Sequence, residues 1–206
     1  MKNIKILIII PAYNEQENII PVIRNLQQTV PEMDYLIVND CSSDNTAGIC
    51  KDNGCNYLSL PINLGIGGGV QAGYRYALEN GYDIAVQHDG DGQHDPRYIR
   101  QVVAPIVNGQ ADIVIGSRFL TQEGFQSSAV RRVGIRLLSK LICLCCGTRV
   151  RDVTSGFRAV SSEYIRFYAN EYPFDYPEPE AIVLASMNGA RIMEIPVLMH
   201  ERENGV

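Results

Sequence analysis

The most chemically loaded stretch of this 206-residue chain is Asp89-Gly-Asp91-Gly-Gln93-His94-Asp95-Pro96. Its first two acids stand two positions apart with a small Gly between them. Both carboxylates can therefore turn toward one hard cation that already carries diphosphate oxygens. A calcium loop of the EF-hand kind needs Gly at its sixth position and Glu at its twelfth; His94 and Arg100 stand there instead, which excludes it. A plain acidic turn is the bland alternative, because Asp and Gly are ordinary turn residues. Chemistry is favoured by the apolar run over residues 84–87 just before the acids. They then lie at the carboxyl end of a strand, where open α/β sheets bind ligands.

Other polar clusters follow apolar runs in the same way. Pro11-Ala-Tyr13-Asn-Glu15 ends the first run, with Tyr13 able to pack on a flat base and Glu15 able to accept from ribose or base. Asn39-Asp40-Cys41-Ser42-Ser43-Asp44 ends the second; Asp40 suits a base or ribose, whereas Ser43 or Asp44 suits capping the next helix. The segment 63–73 holds a G-x-G-x-x-A pattern, which offers backbone N–H groups to a diphosphate or, equally, close helix-to-sheet packing. It supports an alternative, an NAD-type oxidoreductase, but such a fingerprint normally follows the first strand of its unit, and here that strand ends in Pro11-Ala-Tyr13. Arg118 ends a further run, and Arg131 and Arg132 open a basic helix, so these guanidiniums can converge on a phosphate. Asp152-Val-Thr-Ser155-Gly156-Phe-Arg158 adds an acid beside a turn that permits close approach, with a structural role for Arg158 at least as well founded as a catalytic one.

The elements that must position these clusters show as an alternation. Strand-like runs over 6–10, 35–39, 57–60, 84–87 and 113–116 are separated by helix-period segments over 19–28, 46–53, 70–80 and 97–107. This predicts βαβ units and a parallel sheet. After Arg118 the rhythm changes: polar residues 121–128 lead into a helical pattern over 129–146. There Leu137, Leu138, Leu141, Ile142 and Cys145 make an apolar stripe, and Arg132, Arg136 and Lys140 recur on another face. Such a helix is either a surface helix with solvated charges or a face for anionic lipid or a phosphorylated acceptor. A last helix pattern runs to residues 188–189, and a strand-like run covers 191–199.

An apolar share of 46% with 20% charged residues excludes disorder and predicts one compact unit. The formal net charge of −5 argues against the nucleic-acid backbone as main partner. No run approaches the roughly 18 apolar residues of a membrane span, and the run 6–10 is too short for a signal peptide. The six cysteines lack paired zinc spacing and an evident disulfide framework, and read as buried, reduced thiols of a cytoplasmic protein.

Taken together, PAYNE, VNDCSSDNT, NLGIGGG, DGDGQHDP, GSRF and DVTSGFRA, in this order and spacing, resemble the family-2 glycosyltransferases of the GT-A fold. The nearest branch is that of the dolichyl- and polyprenyl-phosphate sugar synthases, and the likeness runs from about residue 4 to Arg202. It implies one α/β domain over 1–206: a Rossmann-like, mostly parallel central sheet flanked by helices, with a nucleotide-sugar-binding half (1–118) and an acceptor-side half (119–206). It also implies an inverting transfer of a hexose-like sugar from a nucleotide-diphosphate donor in cell-surface glycan synthesis, with Mg2+ or Mn2+ bridging the diphosphate. Matched motif by motif, Pro11, Tyr13, Glu15 and Asp40 would contact the nucleoside. Asp89 would serve the ribose or sugar side and the metal, and Asp91 and Gln93 the metal. Arg118, Arg131 and Arg132 would hold the phosphate of a polyprenyl-phosphate acceptor. Asp152 would be a base or a positioning residue, in competition with Glu178 or Glu180 if the acceptor is a hydroxyl.

The likeness places the enzyme in the cytoplasm or peripherally at the inner face of the membrane, against a membrane surface or membrane protein. Two departures stand out: Asn39 replaces an acid found in many relatives, and the membrane helices of some polyprenyl-linked members are missing. A non-catalytic nucleotide-sugar-binding module is the remaining alternative.

Overall fold

The computed structural model describes residues 4–120 and 129–200, with side chains from Arg132 onward in the second stretch. Strand β1 (Ile6–Ala12) is apolar at successive positions because both of its faces are covered. Leu7 and Ile9 pack on one side of the sheet with Val70, Tyr74 and Ala77, while Ile8 and Ile10 pack on the other with Ile19, Val22 and Ile23. The same two-residue alternation recurs in β2 (Asp34–Asn39), where Leu36 and Val38 face one core and Ile37 the other.

Strands β3 (Tyr57–Ser59), β4 (Ile84–Gln87), β5 (Ile113–Ser117), β6 (Arg158–Ser161) and β7 (Ile192–Pro196) complete a seven-stranded sheet of order β3-β2-β1-β4-β6-β5-β7. All neighbouring pairs are parallel except those of β6, which runs antiparallel to both β4 and β5. Helices α1 (Ile19–Thr29), α2 (Thr46–Asp52) and α4 (Ile99–Val107) cover one face. Helices α3 (Gly65–Glu79), α5 (Ala129–Cys146), α6 (Ser162–Asn170) and α7 (Pro177–Met187) cover the other. Because β6 is reversed, the segment entering it reaches the carboxyl ends of β4 and β5. Asp152 and Gly156 thereby arrive at the edge that already carries Asp89 and Arg118.

Two elements depart from the sequence pattern. Helix α3 begins at Gly65, five residues before the predicted start at 70. Glycine lowers helix stability by about 1 kcal/mol per residue, but here close packing requires it. A Cβ on Gly73 would come within 2.3 Å of the Ile9 side chain, and one on Gly67 within 2.2 Å of the Pro173 carbonyl oxygen. The sequence pattern does not show strand β6 with helix α6, since four residues are too few to show a period. Nor are the cysteines all buried: Cys50 is, but Cys41 and Cys145 are exposed, because they stand in a loop and on the outward side of α5.

Candidate active site

Strand β4 delivers Asp89 and Asp91 at its carboxyl end, and two imidazoles fix the turn that follows. The Asp89 N–H donates to His94 Nδ1 (3.0 Å), and the Asp89 carbonyl oxygen accepts from His88 Nδ1 (3.1 Å). An amide can only donate and a carbonyl only accept, so His94 carries its proton on Nε2 and His88 on Nδ1. Both rings are neutral: burial, aided by neighbouring His94, pushes His88 down to about 3, and burial pushes His94 down to about 4. His94 stacks on Phe157 at 5.0 Å between centroids, so this support reaches the segment that enters β6.

Asp91 Oδ1 accepts from the Gln93 N–H (3.0 Å), and Gly92 takes the left-handed backbone (φ 80°) that the tight turn needs. Asp89 Oδ1 is buried with no hydrogen-bond partner among the described residues. Burial pushes the Asp89 carboxyl above its ordinary value, and Gln87, Arg158 and Arg118 pull it back. Gly156 lets the chain pass tightly over this carboxylate: a Cβ there would stand 2.9 Å from Asp89 Oδ2, 3.1 Å from Oδ1 and 3.0 Å from Gln87 Nε2.

Between the ends of β1, β2 and β4 and the start of α3 lies an open cleft of about 420 Å³. Pro11, Tyr13, Glu15, Asp40, Asp89 and Asp91 all line it, so the residues expected to hold the donor and two of the three expected at the metal come together in one place, without Gln93. Tyr13 is half exposed at the mouth, whereas Glu15 and Asp40 are buried. Glu15 accepts from Asn18 Nδ2 (2.6 Å), and Asp40 Oδ1 accepts from the Leu64 N–H (2.7 Å), which anchors the entry to α3. Asn14, in the left-handed region (φ 58°), ties the two loops together: its Oδ1 accepts from the Ser43 N–H (2.8 Å) and from the Ser43 hydroxyl (3.2 Å). Asp44 rather than Ser43 secures the start of α2, with Oδ1 accepting from the Thr46 N–H (2.9 Å).

The second half of the chain contributes a buried ion pair. Arg118 donates through Nε to Asp152 Oδ2 (2.7 Å) and through Nη2 to Oδ1 (2.7 Å), and its backbone N–H also reaches Oδ2 (3.0 Å). Asp152 has no exposure at all, and its own N–H donates to Glu194 Oε1 (2.9 Å). Arg158 is equally buried, with Nη2 donating to the Ser155 carbonyl (2.7 Å) and toward that of Glu178 (3.3 Å). Tyr74, Tyr168 and Tyr172 are its aromatic surroundings, Tyr168 meeting Tyr172 edge-on at 5.1 Å. Of the two glutamates in question, Glu178 is half-buried; burial pushes its carboxyl up, Arg158 opposes this and Asp89 adds to it. Glu180 is exposed.

Gln93 sits on the acidic turn, but its Nε2 points toward the His200 carbonyl (3.5 Å). Arg132 is half-buried near the start of α5, and the Arg131 side chain lies outside the described residues. Sequence reasoning overlooked His88 and His94 as supports of Asp89, although their placement one before and five after it was visible. It also overlooked the enclosure of Arg158 by three tyrosines from separate elements, for which no local signal exists. The glycine segment lies within α3, where Gly67 and Gly73 pack closely against Pro173 and Ile9, while Gly65 and Gly69 line the cleft.

Comparison with known proteins agrees with this geometry. The model of the Glycosyl transferase family 2 matches residues 7–168. The undecaprenyl-phosphate mannosyltransferase of Micrococcus luteus is 31% identical over 98% of this chain and 86% of its own length. The UDP-N-acetylglucosamine–dolichyl-phosphate N-acetylglucosaminyltransferase of Methanococcus voltae is 35% identical over 93% and 84%, respectively. Among solved structures, glucosyl-3-phosphoglycerate synthase from Mycobacterium tuberculosis, in complex with Mn2+, UDP-glucose and phosphoglyceric acid, superposes with a TM-score of 0.73 at 18% identity, over 98% of this chain and 73% of that one. With acids on the strand ends, a nucleoside-sized cleft between them and relatives at this identity over nearly the whole chain, the protein belongs to glycosyltransferase family 2.

Proposed function

We propose that this chain transfers a sugar from a nucleoside-diphosphate sugar to the phosphate of a polyprenyl phosphate, with inversion and with Mg2+ or Mn2+ as cofactor. The observation that carries the proposal is the unpartnered Asp89 Oδ1 beside Asp91 at a cleft lined for a nucleoside. A buried carboxylate oxygen without a donor calls for a cation. Among the described residues no three His, Cys, Asp or Glu side chains form a cation cage. Asp89 and Asp91, with Gln93 adjoining, would therefore share the ion with diphosphate oxygens and water, as Mg2+ prefers. The cation supplies positive charge against the diphosphate leaving group. Mn2+ alongside UDP-glucose in the Mycobacterium tuberculosis synthase, and the lipid phosphates named for the two relatives, support the reading.

In the transfer, an acceptor phosphate oxygen forms a bond to the anomeric carbon from the face opposite the diphosphate. The bond from that carbon to the diphosphate breaks, and its electron pair stays on the diphosphate. A phosphate monoester is already an anion at neutral pH, so no base is needed. This suits Asp152, whose two oxygens are occupied by Arg118: we assign it the positioning role. Arg118, held in one orientation by that fork, is assigned to the acceptor phosphate, as are Arg131 and Arg132. Tyr13, Glu15 and Pro11 receive the nucleoside, and Asp40 serves the same end by fixing the entry to α3. Were the acceptor a hydroxyl, half-buried Glu178, whose carboxyl burial pushes up, suits a base better than exposed Glu180. The domain works peripherally at the inner face of the membrane, where such acceptors reside.

A thermal-shift panel of UDP-, GDP- and dTDP-sugars with and without Mn2+, paired with a transfer assay on a short-chain polyprenyl phosphate, tests this. One nucleotide class should stabilise the fold by about 2.7 kcal/mol at a hundred times its dissociation constant. The shift and the transfer should both need metal. Stabilisation without any turnover would leave a nucleotide-sugar-binding module instead.

A further inference from the structure

We infer that Gln87, itself held by Tyr172, is a positioning residue that fixes the orientation of the Asp89 carboxylate toward the cation. The inference rests on the cation proposed above. Gln87 closes β4, a strand otherwise made of Ile84, Ala85 and Val86, and is only 1% exposed. An amide in such a place needs partners for both of its ends. Standing two residues before Asp89, it has the spacing at which side chains of an extended segment share a face.

The two ends of the amide differ. The Tyr172 hydroxyl donates to Gln87 Oε1 (3.4 Å), whereas Gln87 Nε2 is buried with no partner among the described residues. Asp89 Oδ1 is likewise a buried acceptor without a partner among them. Donor and acceptor share one small volume, because a Cβ on Gly156 would stand 3.0 Å from Nε2, 2.9 Å from Asp89 Oδ2 and 3.1 Å from Oδ1. With Oε1 given to Tyr172, Nε2 is the end left for the acid; the reverse orientation would set one oxygen against another. Each carboxylate oxygen has two lone pairs, so an amide and a cation do not exclude each other there. Burial pushes the Asp89 carboxyl up, and Gln87 opposes this more strongly than Arg158 or Arg118 does.

The surroundings hold this arrangement. Arg158 is the partner of Gln87 across the β4–β6 register, yet its guanidinium donates to the Ser155 and Glu178 carbonyls. Burial, opposed by Arg158, pushes the Tyr172 hydroxyl well above its ordinary range, so it stays a donor at neutral pH. The Tyr172 ring is packed on Tyr74 (5.5 Å between centroids) and Tyr168 (5.1 Å), and Pro173 beside it seats against Gly67 at the start of α3. Outer partners of this kind orient a metal-binding carboxylate, and losing one lowers metal affinity about 10–100-fold.

Calorimetric titration of UDP, GDP and dTDP into the intact chain, with Mn2+ and again with EDTA, tests the inference. The ratio of the two affinities is the gain that the cation confers, and the wild type should show it with one nucleotide. Gln87→Met keeps the length of the side chain and removes the amide; it should reduce that gain about 10–100-fold and leave the affinity in EDTA unchanged. Tyr172→Phe should lose a smaller part of it. Tyr168→Phe is the counterpart, since it removes a buried hydroxyl of the same cluster that donates instead to the Ala181 carbonyl (2.9 Å). It should lower the urea midpoint without touching the gain. An undiminished gain in Gln87→Met would overturn the inference, and so would an equal loss in Tyr168→Phe, which would assign the effect to packing. Should Gln87→Met not fold, a full gain in Tyr172→Phe overturns it. A wild type to which Mn2+ adds nothing refutes the proposed cofactor and this inference together, whereas a wild-type gain that the variants retain refutes the inference alone.

Discussion

The acid-lined cleft and the outward face of α5 are built from opposite materials. In the cleft, acids are buried and each turn is pinned by short polar contacts: Asn14 to Ser43, Asp44 to Thr46, and His88 and His94 to the backbone of Asp89. On α5 the apolar residues face outward, and the helix is held from one side only, through Ile135 and Ile142. A small ligand with fixed bond geometry demands atoms placed to a fraction of an ångström, and buried hydrogen bonds supply that rigidity. Apolar contact is non-directional and makes no such demand. Substitutions should therefore be abrupt in the first region and graded in the second.

The sharpest break should come from Asp91→Ala, which should lower donor turnover about a thousandfold, as should a chelator added to the wild type. Leu141→Ser in the same assay with a soluble acceptor should be silent, and comparable losses in the two variants would erase the distinction.

Arg118→Ala comes next. It strands Asp152 in the interior, and an unpaired buried charge costs about 3–5 kcal/mol, read as a fall in the urea midpoint. Transfer should fall while donor-induced stabilisation persists; a normal midpoint would show that the pair contributes nothing to the fold.

Gly156→Ala should be milder. The added methyl must push aside the Asp89 carboxylate and the Gln87 amide, at about 1–3 kcal/mol of overpacking. Donor affinity should weaken with it, and calorimetric titration of the metal–donor complex would detect this; unaltered affinity would mean that Asp89 has room to move.

Glu178→Gln should give the smallest effect, one that depends on pH. Burial raises the Glu178 pKa, so its favourable share of stability is complete below the ordinary value of 4.5 and is lost as pH rises through the raised one. The amide suffers no such loss. Melting temperatures measured without metal should favour the variant by a small margin at neutral pH and converge below 4.5; a gap independent of pH would assign the effect to packing.

Much of this was legible in the chain itself. The parallel strands show because each is an apolar run followed by polar residues, so the cleft residues could be named from their position after such runs. The sequence pattern gives helix α5 its observed bounds but shows its apolar stripe as one face. The structure divides it: Leu138 and Ile142 turn inward, Leu137 and Leu141 outward. Periodicity does not separate two apolar faces on one helix, because contributions from opposite sides largely cancel in the moment. The antiparallel insertion of β6 was hidden by its length and its distant partners. The positioning role we propose for Asp152 rests on Arg118 lying across both of its oxygens, a contact between residues 34 positions apart that no local pattern announces.

One contact far from the cleft's lining ties its acids to the last described residues. His94 bridges Met199 in antiparallel fashion, and the His200 N–H donates to the Gln93 carbonyl (2.9 Å) although the two residues lie 107 positions apart. Local opening of the acidic turn must break these bonds too, so both segments belong to one cooperative unit. The His200 amide is accordingly a built-in gauge of order in the turn. Any ligand that steadies Asp89 and Asp91 should slow deuterium uptake there, at a backbone position outside the cleft.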